Sequence, residues 1–457
     1  MKKIFPFIST AIVIALGTAG CATENITPHM PPVPEQWATD VDDAADTEQT
    51  DSLKTWWKLF HDEKLDWLID QTLSGSPDIK QAAAHIDEAR GMQKTAFAEL
   101  FPTVSANADY ARSRSLFIAP ITANTHDASF DASYELDVFG KNRNASDAAD
   151  TAVLAATKDA DWIRLSLIAE VARDYISMRA AEKQIDLAKA NLATEKSTLK
   201  LVKQQHAAGG ASEFDVERGE VLLSQSDARI TEYERQKDTS LLALVTLTGL
   251  TAEQIQENLT ASAKIPGVDL TPIANTPAEV LAQRPDIAAA NLRFSQATSL
   301  KESQAAAIFP SISISGLYGI SKTAIVDSST VWSLGPTAAV NLLDFGRIQG
   351  QINAASAREV EAYEAWRKAV LQGLQDVETA LTNVAHIHEQ AISLQHAKNH
   401  AANAVSLAKV RYKEGDAAFL DVLDAQRQMI DADSALIDAE SNYVTSLIAL
   451  YKALGQY

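Results

Sequence analysis

Ala128-Ser129-Phe130-Asp131-Ala132-Ser133-Tyr134-Glu135-Leu136-Asp137-Val138 alternates apolar and polar side chains without an error. A period of two is a β-strand with one apolar and one polar face. Just upstream, residues 103–110 do the same. Val104, Ala106, Ala108 and Tyr110 oppose Thr103, Ser105, Asn107 and Asp109. A helical pattern over 78–100 precedes this strand pair. A long stretch rich in Ala, Glu, Lys, Gln and Leu follows it, with no Gly or Pro from 144 to 205.

The same order recurs in the second half. Ser76-Pro77-Asp78-Ile79 returns as Arg284-Pro285-Asp286-Ile287, Phe101-Pro102 as Phe309-Pro310, and Tyr110 as Tyr318, all at an offset of 208. Leu136 with Phe139-Gly140-Lys141 matches Leu342 with Phe345-Gly346-Arg347, and Asp215-Val216 matches Asp421-Val422, at an offset of 206. One register held over most of each half, with a two-residue loop change, means a duplicated unit. In the second copy Ile312, Ile314, Tyr318 and Ile320 oppose Ser311, Ser313 and Ser321. Trp332, Leu334, Ala338, Val340 and Leu342 oppose Ser333, Thr337 and Asn341.

Each unit therefore reads helix, strand, strand, long helix, return helix. The first repeat occupies 76–249, with strands at about 101–115 and 127–140, a long helix at 144–205 and a return helix at 212–248. The second occupies 285–457, with strands at about 309–321 and 331–343, a long helix at 351–412 and a return helix at 418–454. Residues 250–284 link them. A long helix of this size runs roughly 90 Å. Gly209-Gly210 and Gly415 end the long helices. Each return helix is shorter by nearly the length of an opening helix, so the two can stack end to end along a long one.

The chain begins with Lys2-Lys3, a short apolar run from Ile4 to Leu16, and small residues up to Cys21. This is a signal peptide over 1–20, and its apolar run is too short to span a bilayer. Ala19-Gly20-Cys21 resembles the end of a bacterial lipobox, with Thr18 where Leu is usual. Cys21 is the sole cysteine. It is the expected lipidation site, heading a lipidated N-terminal segment over 21–75. No later segment has 18 consecutive apolar residues, so membrane entry would need β-strands. A net charge of −20, from 60 acidic and 40 basic residues, argues against nucleic acid as a partner.

Four two-faced strands could belong to a soluble sandwich. Against that, they come as two hairpins whose apolar faces carry Phe130, Tyr134, Tyr318 and Trp332. A membrane barrel needs apolar-out, polar-in strands and no free edge. Small barrels need about eight strands, so the chain must assemble; two copies give eight and three give twelve. The Ala-rich long helices suit a coiled-coil-like wall.

The sequence resembles the outer membrane factors of tripartite efflux and secretion systems, the TolC-like proteins, in particular their lipoprotein branch. The motifs that carry the likeness are the two Pro-Asp-Ile runs, the two Phe-Pro pairs, Leu343-Asp344-Phe345-Gly346-Arg347, and Arg411-Tyr412-Lys413-Glu414-Gly415 with Phe419-Leu420-Asp421-Val422-Leu423-Asp424-Ala425-Gln426. It covers nearly the whole mature chain. It implies an α+β fold and a homotrimer. Two β-hairpins per chain would form part of a 12-stranded outer-membrane barrel, continued by a long helical barrel in the periplasm. An equatorial domain would come from 22–75, 249–284 and the chain end. The implied partners are a periplasmic adaptor, an inner-membrane pump of RND type and outer-membrane lipid. The implied cargo is drugs or small toxic solutes, or polypeptides in a secretion system. A non-conducting trimeric surface stalk is a further alternative.

The resemblance also implies a periplasmic gate at Asp421 and Asp424, with Tyr412 near the turn and Asp215 as the counterpart of Asp421. Tyr412 is expected to bond Asp215. Asp421 and Asp424 are one helical turn apart, and rotational symmetry would crowd their carboxylates around one axis. Asp421 also reads as a helix N-terminal carboxylate favoured by the macrodipole. Ala417 stands where some members carry an arginine that bonds across to the first repeat. His386, His388, His396 and His400 cluster, with 396 and 400 at i, i+4. Without supporting cysteines they read as a solvated helix face. No nucleophile–base set, phosphate loop or zinc motif appears, so neither an enzyme nor a cofactor or metal site is expected.

Overall fold

The computed structural model describes residues 31–38, 52–115, 121–259, 264–267, 276–323 and 327–455. A 3-10 segment (Ser52–Phe60) leads to helix α1 (Glu63–Gly75), α2 (Pro77–Ala98), strands β1 (Thr103–Ser115) and β2 (Ile121–Leu136), α3 (Lys141–Ala207) and α4 (Glu213–Thr248). Short helices α5 (Ala252–Asn258) and α6 (Pro277–Gln283) link to the second repeat: α7 (Pro285–Ala305), β3 (Ser311–Lys322), β4 (Ser329–Ala339), α8 (Arg347–Glu414) and α9 (Phe419–Ala453). Both long helices are interrupted by no kink-forming Pro.

The chain divides into two compact units. The first holds the strands with residues 89–153 and 290–367. Its sheet is antiparallel, in the order β1-β2-β3-β4. Register places Ala106 opposite Phe130, Phe130 opposite Tyr318, and Tyr318 opposite Trp332, so one row of mostly aromatic side chains crosses the apolar face. Trp332 is 73% exposed. On the other face Asp131 accepts from Asn107 at 2.7 Å and from Ser129 at 2.8 Å. Neither β1 nor β4 has a second strand neighbour among the described residues.

Beside the sheet, the Phe139 and Phe309 rings stack at 4.6 Å. Phe294 stacks on Trp366, and a buried Lys301–Glu359 pair at 2.8 Å joins α7 to α8. The strands end where helix caps begin. Asp137 accepts from the Asn142 and Arg143 amides, and Asp344 from those of Gly346 and Ile348. Those backbone bonds, Ile348 first, hold the Asp344 carboxyl below the usual carboxylate range. Hence β2 stops at Leu136 rather than continuing to 140, and β4 stops at Ala339 rather than 343.

The second unit comprises residues 32–88, 154–289 and 368–457. Trp56 is fully buried and stacks on Tyr451 at 5.5 Å. Leu65, Leu68, Ile69, Ile176, Leu244 and Leu447 pack in the same core. Asp62 caps α1 through the Lys64 and Leu65 amides and also accepts the Tyr175 hydroxyl at 2.7 Å. Burial pushes that phenol up. Among the described residues no helix is long and apolar enough to cross a membrane.

Candidate gate at the two helix turns

The long helices end on the same backbone device. Gly209 (φ 79°) and Gly415 (φ 79°) take the left-handed conformation. The Gly209 and Gly210 amides return to the His206 and Gln205 carbonyls. The Gly415 and Asp416 amides return to those of Tyr412 and Arg411.

Each return helix then opens with an aspartate at its third position. Ser212 and Asp215 form a reciprocal capping box: the Ser212 hydroxyl accepts the Asp215 amide at 3.2 Å, and Asp215 accepts the Ser212 amide at 3.1 Å. Asp421 accepts the Ala418 amide at 3.0 Å; Ala418 has no side-chain oxygen to complete a capping box, and the Asp421 amide donates to its carbonyl at 3.0 Å instead. Asp421 thus does the local capping work of an N-terminal carboxylate and remains exposed. Asp424, one turn on, is exposed and accepts from the Gln428 amide at 2.9 Å. It borders a groove between α4 and α9 with Phe214, Arg218, Leu420 and Arg427.

Tyr412 is half-buried, its ring 5.6 Å from Phe419, beside the cluster of Leu199, Val202, Val216 and Val422. Its hydroxyl donates to the Gln205 side-chain carbonyl. The bond expected with Asp215 is therefore replaced by one to Gln205. Asp215 is instead occupied by Ser212, which lies three residues away on its own helix start. Burial, and then the Asp215 charge, push the Tyr412 phenol up. Gln205 was missed in the sequence because nothing in the local pattern joins it to a residue on the other repeat. At Ala417 no arginine reaches across; Arg411 bonds within its own turn, to the Asp416 carbonyl at 3.0 Å.

Cys21 lies outside the described residues. His386, His388, His396 and His400 are all exposed, and the His388 ring rests against Tyr443 at 5.1 Å. Among the described residues no group of three or more His, Cys, Asp or Glu could hold a metal ion.

A duplicated chain with paired long helices, two hairpins in one two-faced sheet and glycine-ended helix turns is the build of an outer-membrane channel subunit. The chain belongs to the outer membrane efflux protein family, which it matches over residues 68–250 and 276–456, one block per repeat. It is 30% identical to the outer membrane protein OprJ of Pseudomonas aeruginosa over 99% of this chain and 96% of that one. It is 29% identical to the pyoverdine export outer membrane protein OpmQ of Pseudomonas putida over 88% and 87%. The solved structure of the outer-membrane channel OprN superposes with a TM-score of 0.84 at 27% identity, covering 94% of this chain and 99% of that chain.

Proposed function

We propose that the chain is one subunit of a homotrimeric outer-membrane channel that exports drugs or other small toxic solutes delivered by a tripartite pump. The observation that carries this reading is the sheet. It has one apolar face crossed by an aromatic row, one polar face, and two edges that are open among the described residues. In a bilayer those edges must be paired. Three such sheets make twelve strands in a closed ring with the polar faces inward. The outer membrane efflux protein family and the likeness to the pyoverdine export protein OpmQ support export as the task, and the family resemblance supports a periplasmic adaptor and an inner-membrane pump of RND type as partners. Cys21 is the proposed lipid anchor.

In the same reading Asp421 and Asp424 form the periplasmic constriction, with Tyr412 and Gln205 holding the two turns together and Asp215 capping the first of them. Carboxylates gathered from three chains attract hard cations through oxygen. A trivalent cation added on the periplasmic side of a planar bilayer should block wild-type current. The double variant Asp421→Ala/Asp424→Ala should lose that block. A double variant blocked as tightly as wild type places the constriction elsewhere, and a purified protein with no conductance in either form defeats the channel reading itself.

A further inference from the structure

We propose that the turn between α3 and α4 carries a pH-sensitive clasp, His206, and that the turn between α8 and α9 carries a pH-insensitive one, Arg411. The two turns share their backbone geometry, so the side chains make the difference. His206 Nδ1 lies 3.0 Å from the Ala211 carbonyl oxygen, across the turn, and Nε2 lies 3.0 Å from the Glu213 carboxylate in the first turn of α4. Both partners can only accept. An imidazole satisfies both only when each ring nitrogen carries a proton, which is the imidazolium form. A neutral ring can donate to one of them and must turn a lone pair toward the other.

Arg411 closes the second turn by donating Nη2 to the Asp416 carbonyl at 3.0 Å and Nε to the Asp416 carboxylate at 3.3 Å. A guanidinium keeps its charge throughout the physiological range. Several other polar side chains at the two turns have partners of their own. Lys203 on α3 meets Glu220 of α4, Asp215 meets Ser212, and Gln205 takes the Tyr412 hydroxyl of α8. Asp421 of α9 is held by the Ala418 amide. Glu213 is the carboxylate that meets the ring.

The His206 clasp holds while the ring is doubly protonated and slackens once it has given up a proton, whereas the Arg411 clasp does not change. His206 and Glu213 are both well exposed, at 42% and 69% of their side-chain surface, so the effect is modest. Hydrogen–deuterium exchange on the whole detergent-solubilised protein reads it directly, independently of conductance. Exchange is compared at about pH 5.5 and about pH 8, a range in which imidazole side chains in general change charge, after correction for intrinsic amide rates. Backbone amides of 208–212 should be protected about threefold more at the lower pH, and those of 414–418 equally at both. His206→Arg, which keeps a permanent donor at the site, should erase the pH difference in the first turn. An equal pH response in the two turns of the wild type, or one that survives His206→Arg, overturns the proposal.

Discussion

The starts of the two opening helices, Ser76 before α2 and Arg284 before α7, occupy the same place in the two repeats and solve it differently. Ser76 is buried, and its hydroxyl accepts the Asp78 amide at 3.3 Å, an ordinary helix cap. Arg284 is also buried, but its guanidinium meets Asp286 at 2.8 Å, Asp376 of α8 at 3.0 Å and the Ala453 carbonyl of α9 at 3.1 Å, and it lies over the Trp162 ring of α3. The glycines closing the return helices follow suit. Gly249 and Gly455 both have φ 73°. A Cβ on Gly249 would meet the Gly75 carbonyl at an ordinary 3.5 Å, whereas one on Gly455 would come within 2.9 Å of the Arg284 Cα. Duplication kept the backbone and changed the fastener: a local cap in one repeat, a buried cation joining several helices in the other.

The largest break in this comparison should come from Arg284→Ala. It leaves the partly buried Asp286 and the buried Ala453 carbonyl without their donor, and the loss should reach about 3 kcal/mol, the lower end for breaking a buried pair. A clear drop in the melting temperature or urea midpoint of the detergent-extracted protein checks it; melting alongside wild type would show that the clamp is idle. Next, Gly455→Ala combines a left-handed backbone with backbone overlap and should cost about 2–3 kcal/mol. Gly249→Ala bears the dihedral cost alone, about 1 kcal/mol, so equal losses at 249 and 455 would mean that Arg284 yields freely. Ser76→Ala should cost about 1 kcal/mol, as loss of a helix cap does. Smallest is Asp376→Asn, because Asp376 is 54% exposed and an exposed partner contributes about 0.5 kcal/mol. Denaturant titrations of the two variants side by side give the order.

The sheet was readable because its signal is local. Apolar and polar side chains alternate within one strand, and the duplication repeats that alternation in register. Strand ends were not, because Asp137 continues the alternation on paper while its carboxylate is already capping α3. Phe345 likewise reads as apolar, yet is 92% exposed at φ 53°. The turn residues could be placed from the glycines and the repeat, but not their bonds. Tyr412 could reach Gln205 or Asp215, and the competitor that removes Asp215 is Ser212, a neighbour in sequence. Arg284 was visible only as a variant of Ser76 in a repeated Pro-Asp-Ile run. Its partners near 162, 376 and 453 are joined by the fold, not by spacing. An arginine standing where the other repeat has a small hydroxyl was the available hint.

The two bare edges of the four-stranded sheet have a genetic consequence. Each subunit's β1 and β4 must find strands on other copies, so one faulty edge leaves the whole ring unclosed. If sound and edge-damaged subunits were made in equal amounts and mixed at random in threes, only about one ring in eight would contain sound members alone. A proline placed mid-way along β1 or β4 should therefore act dominantly, sensitising cells that still carry an intact copy. A lesion confined to residues 1–20, the expected signal peptide, should be recessive.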